Sequence, residues 1–406
     1  MKTIGILRNT VQHYAWGSPE SLPKLLSKDN PSGLPWAELW MGAHPKAPSL
    51  VNFEGRWVSL KDLIEQHPQE MLGHKTAARF NNTLPYLFKV LAVAKPLSIQ
   101  AHPNLEQAKE GFAWENRQGI PPDDPQRNFR DDNHKPECIC AMSKFYALCG
   151  FRKINDIVAM MSESCPQGLA GELENLKKYA DSTGLKKFFM ALMNMDSDRR
   201  KRVIGETLHN IDNFSDQNLK YWTRKLTNEY PTDIGILSPM LLNLVCLEPG
   251  QALFLPAGEL HAYLEGLGIE LMANSDNVLR GGLTPKHVDL PQLANVVHFK
   301  PRPIHVLKTA RFGENEEVYF TPTEEFVLSS ICVSGQSLYK SPTSRSIEIL
   351  LCTEGTASIE DCGTKNMLQI AKGNSFVIPA AVERYTIKGN AGFYKAAVPT
   401  KQSHEF

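Results

Sequence analysis

Two stretches of this chain repeat one backbone pattern. In "LVCLEPGQALFLPAGELHAYLEG" Gly250 is followed six residues on by Pro256, and in "ILLCTEGTASIEDCGTKNMLQIAKGNSFVIPAAVERYTI" Gly373 is followed six residues on by Pro379. Each frame reads as a turn glycine, an apolar strand and a proline turn. The recurrence predicts two related β units in the second half of the chain.

The rest of the chain divides by texture. Up to about Phe151 it is rich in Pro, Gly and short β-like runs such as "SLVNFEGRWVSL" and "ECICAMSKFYALCGF". One helix is expected after Asn104, a suitable N-cap with Gln107 three residues on, covering "LEQAKEGFAWENRQ". Between about Lys153 and Leu237 the period changes: Leu185, Phe188, Phe189, Leu192 and Met193 form the stripe of an amphipathic helix. We therefore expect residues 1–152 and 238–308 to form one β domain, split by a helical insert at 153–237, and 309–406 to form a second.

Length and charge limit the partners. With 406 residues and 42% hydrophobic content, the chain is too long for one core and can fill two or three. Lys plus Arg equals Asp plus Glu at 44 each, so no overall basic field gathers nucleic acid or an anionic membrane. The apolar patch before Arg8 is too short for a signal-peptide core, and no later run approaches a membrane span. Eight scattered cysteines make no disulfide framework and suit a reduced, cytoplasmic setting, and a monomer is expected. Cys138 and Cys140 lie on the strand face opposite Glu137 and are read as core packing.

Two polar stretches stand out. In "SIQAHPN" an extended chain puts Gln100 and His102 on one side, both pointing into whatever the sheet encloses. "FRDDNHKPE" ends a Pro- and Asp-rich loop and crowds Asp131, Asp132, Asn133, His134, Lys135 and Glu137 before a strand. Turn chemistry in a solvated loop accounts for some of these groups.

The Gly-x5-Pro-x-Gly-x2-His frame ending at His261 resembles the second motif of the cupins, in which a tight bend aims a metal-binding histidine into a small antiparallel barrel. The later copy, "PAAVER", has Ala381 for the glycine and no histidine, so only the first barrel should bind metal. "FRDDNHKPE" is similar to the long signature of type I mannose-6-phosphate isomerases, with Phe129 in place of a tyrosine. "HAYLEGLGIELMANSDNVLRGGLTPK" resembles a second signature of that family and departs from it mainly at Gly281, where alanine is usual. "VQHYAWGS" and "AELWMGAHPKAPS" resemble it too. The resemblance implies a mainly β fold of two cupin-like antiparallel barrels (jelly rolls) with an α-helical insert. It also implies one zinc ion held by Gln100, His102, Glu137 and His261.

The function implied by the resemblance is that of an aldose–ketose isomerase acting on a sugar phosphate through a cis-enediol. The same resemblance places the active-site arginine at Arg280, beside Gly281 and Gly282. Lys135 and His134, next to the ligand Glu137, are candidates for proton transfer, with phosphate or hydroxyl binding as the other reading of Lys135. Asp276 in "NSDN" is a possible base or substrate contact, or a turn residue. "LTPKH" reads as a helix start with Thr284 as N-cap, where Lys286 could help catch the phosphate. Glu38 and His44 are read as scaffold. Two other readings stand: a cupin-type metal oxygenase, which normally needs more histidines, and a non-catalytic sugar-binding bicupin.

Overall fold

The computed structural model describes residues 2–165 and 167–400. The apolar runs form antiparallel strands in two sheets, of 10 and 11 strands among the described residues, and a helical insert joins the first sheet's strands. This is the mainly antiparallel architecture expected.

In the first sheet Glu38–Gly42, Tyr86–Val93 and His261–Ala273 lie side by side. The last of these also pairs with Gln100–Ala101, Glu137–Ala141 and Phe145–Phe151. His261 faces Gln100 in register, whereas Met272 faces Glu137. A straight strand would hold those two positions roughly 35 Å apart, yet the side chains of His261 and Glu137 meet at 3.3 Å. The strand therefore curls until its two ends line one interior. A register shift between Tyr263 and Glu265 and a positive φ of 135° at Gly266 produce the bend.

The second sheet is built on Val327–Val333, Glu348–Asp361, Ser375–Ile378 and Tyr385–Ala397. Here the structure departs from the sequence expectation for residues 1–152. Gly5–Arg8 pairs with Ser375–Ile378, and Leu50–Phe53 and Arg56–Ser59 continue the same sheet. The reason is edge satisfaction: Ser375–Ile378 is buried along its whole length and its outer hydrogen-bonding edge needs a partner.

The insert comprises helices Ile154–Ser164, Ala170–Lys178, Ser182–Met193, Ser197–Asn210 and Gln217–Glu229. Leu185, Phe188, Phe189 and Leu192 are buried in their helix, as their spacing requires. The Asn104–Gln107 capping box is complete at the start of Leu105–Arg117. No described helix is long and apolar enough to cross a membrane, and all eight cysteines are free.

The two sheets share a core. Cys138 and Cys140, on the back of the Glu137 strand, join Ile269 and Leu271 in one buried cluster with Phe326, Leu328, Ile349 and Ala396. Tyr86 donates to the Ala396 carbonyl at 3.1 Å and Tyr319 to the Gly250 carbonyl at 2.8 Å.

A methyl group at Gly266 would meet the Lys144 carbonyl at 2.7 Å and Phe145 Cα at 2.8 Å. Gly266→Ala should lower stability by about 1–3 kcal/mol, measured by chemical denaturation. An unchanged midpoint would show that the curl does not depend on this glycine.

Candidate metal centre

His102, Glu137 and His261 are all buried, and their ligating atoms lie within 4.8 Å of one another. Each histidine is fixed from behind. His102 Nδ1 donates to the Asn277 carbonyl at 2.7 Å, and His261 Nδ1 donates to the Glu259 carbonyl at 2.9 Å. Those bonds place the proton on Nδ1 and leave a lone pair on each Nε2. Both lone pairs face the Glu137 carboxylate, each at 3.3 Å from one of its oxygens. His102 Nε2 is buried without a hydrogen-bond partner. Lone pairs converging on an anion repel unless a cation lies between them, so the donor set fits a divalent metal.

The electrostatics agree. Burial, helped by the Lys135 charge, pulls the His102 pKa down to about 4, so the ring stays neutral at physiological pH. Burial alone would raise the Glu137 pKa, but the carboxyl is held well below its usual range, with the adjacent Lys135 charge the largest opposing cause. Lys135 Nζ lies 3.1 Å from Glu137 Oε1, and the Tyr263 hydroxyl donates to Oε2 at 3.4 Å. The Gln100 amide nitrogen is 3.3 Å from His261 Nε2, and a half-turn of the amide presents its oxygen at the same place.

The loop "FRDDNHKPE" is held against "NSDN". Asp131 accepts from the Ser275 hydroxyl and from the Asp276 amide, both at 2.7 Å. Asn277, fully buried, accepts from the Arg130 amide at 2.6 Å and donates to the Asn133 carbonyl at 2.9 Å. Its own carbonyl orients His102, so one asparagine joins the loop to the metal centre. Sequence reasoning singled out Asp276 in "NSDN", as a possible base or substrate contact or a turn residue, and missed this role of Asn277; an asparagine able to make several bonds at once was the available signal.

Other residues singled out from the sequence fall differently. The His134 ring turns to Glu325 in the second sheet's domain, at 2.7 Å, and does not join Lys135 at the metal centre. The Asp276 carboxylate is held by Lys46 at 2.7 Å and His44 at 3.4 Å; burial opposes ionisation, but these partners keep its pKa far below the ordinary value, which makes it a poor base. No helix starts at Thr284. Leu283 has a φ of 53°, the Thr284 amide donates to Asp233, and the Thr284 hydroxyl accepts from the Lys286 amide in a turn. The helix begins instead at Leu290, capped by Asp289. Lys286 therefore has no helix end beside it.

Arg280 pairs in register with Gln100. Its pKa is lowered by burial and by Arg130, and that of Lys286 by burial, Arg280 and Arg130. Three cations thus crowd together beside the metal centre. Near Glu137 a buried cluster also appears that the sequence did not reveal: Lys89 lies 3.1 Å from Glu270 and 3.5 Å from Glu38, which accepts from Trp40 Nε1 at 2.5 Å.

Comparison with known proteins places this geometry. The family profile "Phosphomannose isomerase type I, catalytic domain" matches residues 4–154. The mannose-6-phosphate isomerase of Escherichia coli (strain K12) is 42% identical over 387 residues, covering 95% of this chain and 97% of that protein. That of Rattus norvegicus is 34% identical, covering 91% and 92%. The crystal structure of the Salmonella typhimurium enzyme, bound to its substrate fructose 6-phosphate and zinc, is 37% identical and superposes with a TM-score of 0.91 over 98% of this chain and 100% of that one. With that identity sustained along nearly the whole of both sequences, the chain belongs to the mannose-6-phosphate isomerase family.

Proposed function

We propose that this protein interconverts mannose 6-phosphate and fructose 6-phosphate through a cis-enediol, with one zinc ion held by His102, Glu137, His261 and the Gln100 amide oxygen. The observation that carries the reading is the pair of Nε2 lone pairs aimed at one ionised carboxylate, in a chain whose Salmonella typhimurium relative is crystallised with fructose 6-phosphate and zinc. Zinc there would act as a Lewis acid toward the sugar oxygens, without redox chemistry.

The protein's own groups do the rest. Arg130, Arg280 and Lys286, with no carboxylate paired to them among the described residues, hold the phosphate. Arg280, whose backbone pairs with that of the proposed ligand Gln100, also steadies the enediolate oxygens. Lys135, beside Glu137, carries the proton between C2 and C1. Burial of the ligands keeps bulk water from the intermediate.

Isomerisation of mannose 6-phosphate should vanish on chelation, return with Zn²⁺, and be absent in His261→Ala. A fully metal-loaded protein with no turnover would end the isomerase reading. Lys286→Ala should raise KM on the order of tenfold with kcat nearly kept, whereas Arg280→Ala should lower kcat about a hundredfold; steady-state kinetics separate the two. The pH dependence of the metal-free protein follows from His102. Its folded pKa, about 4, lies below the ordinary 6.5, so the unfolded chain binds more protons between those values. Stability present above pH 6.5 should be lost as pH falls toward 4, and urea titrations of His102→Gln should show a flatter profile.

A further inference from the structure

The loop that carries Lys135 and Glu137 has anchors on two sides. Inside the first domain they are Asn277 and Ser275. The outer anchor is the His134 ring on Glu325, at 2.7 Å, with the two side chains 26% and 13% exposed. Glu325 lies between strands Glu316–Tyr319 and Val327–Val333 of the second sheet, and its other carboxylate oxygen accepts from the Thr323 hydroxyl. The next residue, Phe326, is fully buried in the cluster that also holds Cys138 and Cys140, the residues backing the Glu137 strand. Glu325 is thus fixed relative to the metal-bearing strand before it touches His134.

We propose that Glu325 is a positioning residue for the reaction, reaching the metal centre from the second domain. The His134 ring meets Glu325 while its neighbour Lys135 meets Glu137 at 3.1 Å, so a latch on His134 limits where Lys135 can turn. Residues 129–136 form no helix or strand, and local hydrogen bonds and the His134 latch fix them instead. A domain with none of the metal ligands thereby sets the geometry of one ligand and its lysine. Partners that orient ligands from outside in this way commonly matter by about 10- to 100-fold in metal affinity or activity.

The inference rests on the isomerase reading, and the test separates the two. In the full-length zinc-loaded protein, Glu325→Ala, Glu325→Gln and His134→Gln are compared with Glu324→Ala, which breaks a neighbouring pair with Arg79 and touches nothing in the metal loop. Kinetics, thermal midpoint and the rate of zinc loss to a chelator are measured. Glu325→Ala and His134→Gln should lose zinc about tenfold faster and lower kcat about tenfold, with KM changed by no more than about twofold. Glu325→Gln keeps an acceptor and should recover most of both, and Glu324→Ala should match the parent. A lowered midpoint with zinc loss and kcat unchanged would make the contact merely structural and overturn the proposal. If the parent does not isomerise the sugar, the isomerase reading fails, while the zinc-loss rates still decide whether Glu325 holds the loop.

Discussion

A buried carboxylate flanked by two lone pairs is the constraint around which this protein is arranged. Glu137, His102 and His261 are almost completely removed from solvent, and without a cation each interaction among their facing atoms is repulsive. Lys135 supplies one positive charge, and a bound divalent ion completes the balance. The surrounding architecture maintains this meeting of like groups. A curled strand brings His261 back to Glu137, the Asn277 and Glu259 carbonyls fix the tautomers, and the second domain stiffens the loop from outside.

The two sheets share a further device. In the first, Lys89 is buried between Glu38 and Glu270; in the second, Lys395 lies 2.7 Å from Glu316 and 3.6 Å from Glu348. Burial alone would drive off each lysine proton, and in both places the glutamates hold the charge. Such clusters are weak sources of stability but strong penalties on misregister, since a strand slipped by one residue leaves a charge buried alone.

Much of this was legible in the sequence where the signal was local. The capping box at Asn104, the apolar stripe of Ser182–Met193 and the turn that delivers His261 each lie within a few residues, and the structure has all three. His102, Glu137 and His261, singled out by their motifs, lie with their ligating atoms within 4.8 Å of one another, and the Gln100 amide is 3.3 Å from His261. What could not be read depended on distant pairings. Nothing near His134 announces Glu325, nothing near Lys89 announces Glu270, and the proline after Thr284 imitates a helix start that the left-handed Leu283 and the Asp233 carboxylate override.

The pairing of Gly5 with Val377 has a consequence for biosynthesis. A strand made early finds its partner in one made much later, so the second sheet stays incomplete through most of translation. Loop closure over such a span is slow, and the exposed strand edges meanwhile invite pairing with other chains. A chain cut before Ser375 would keep Gly5–Arg8 paired with Leu50–Phe53 but leave its other edge, which Ser375–Ile378 covers in the full chain, open.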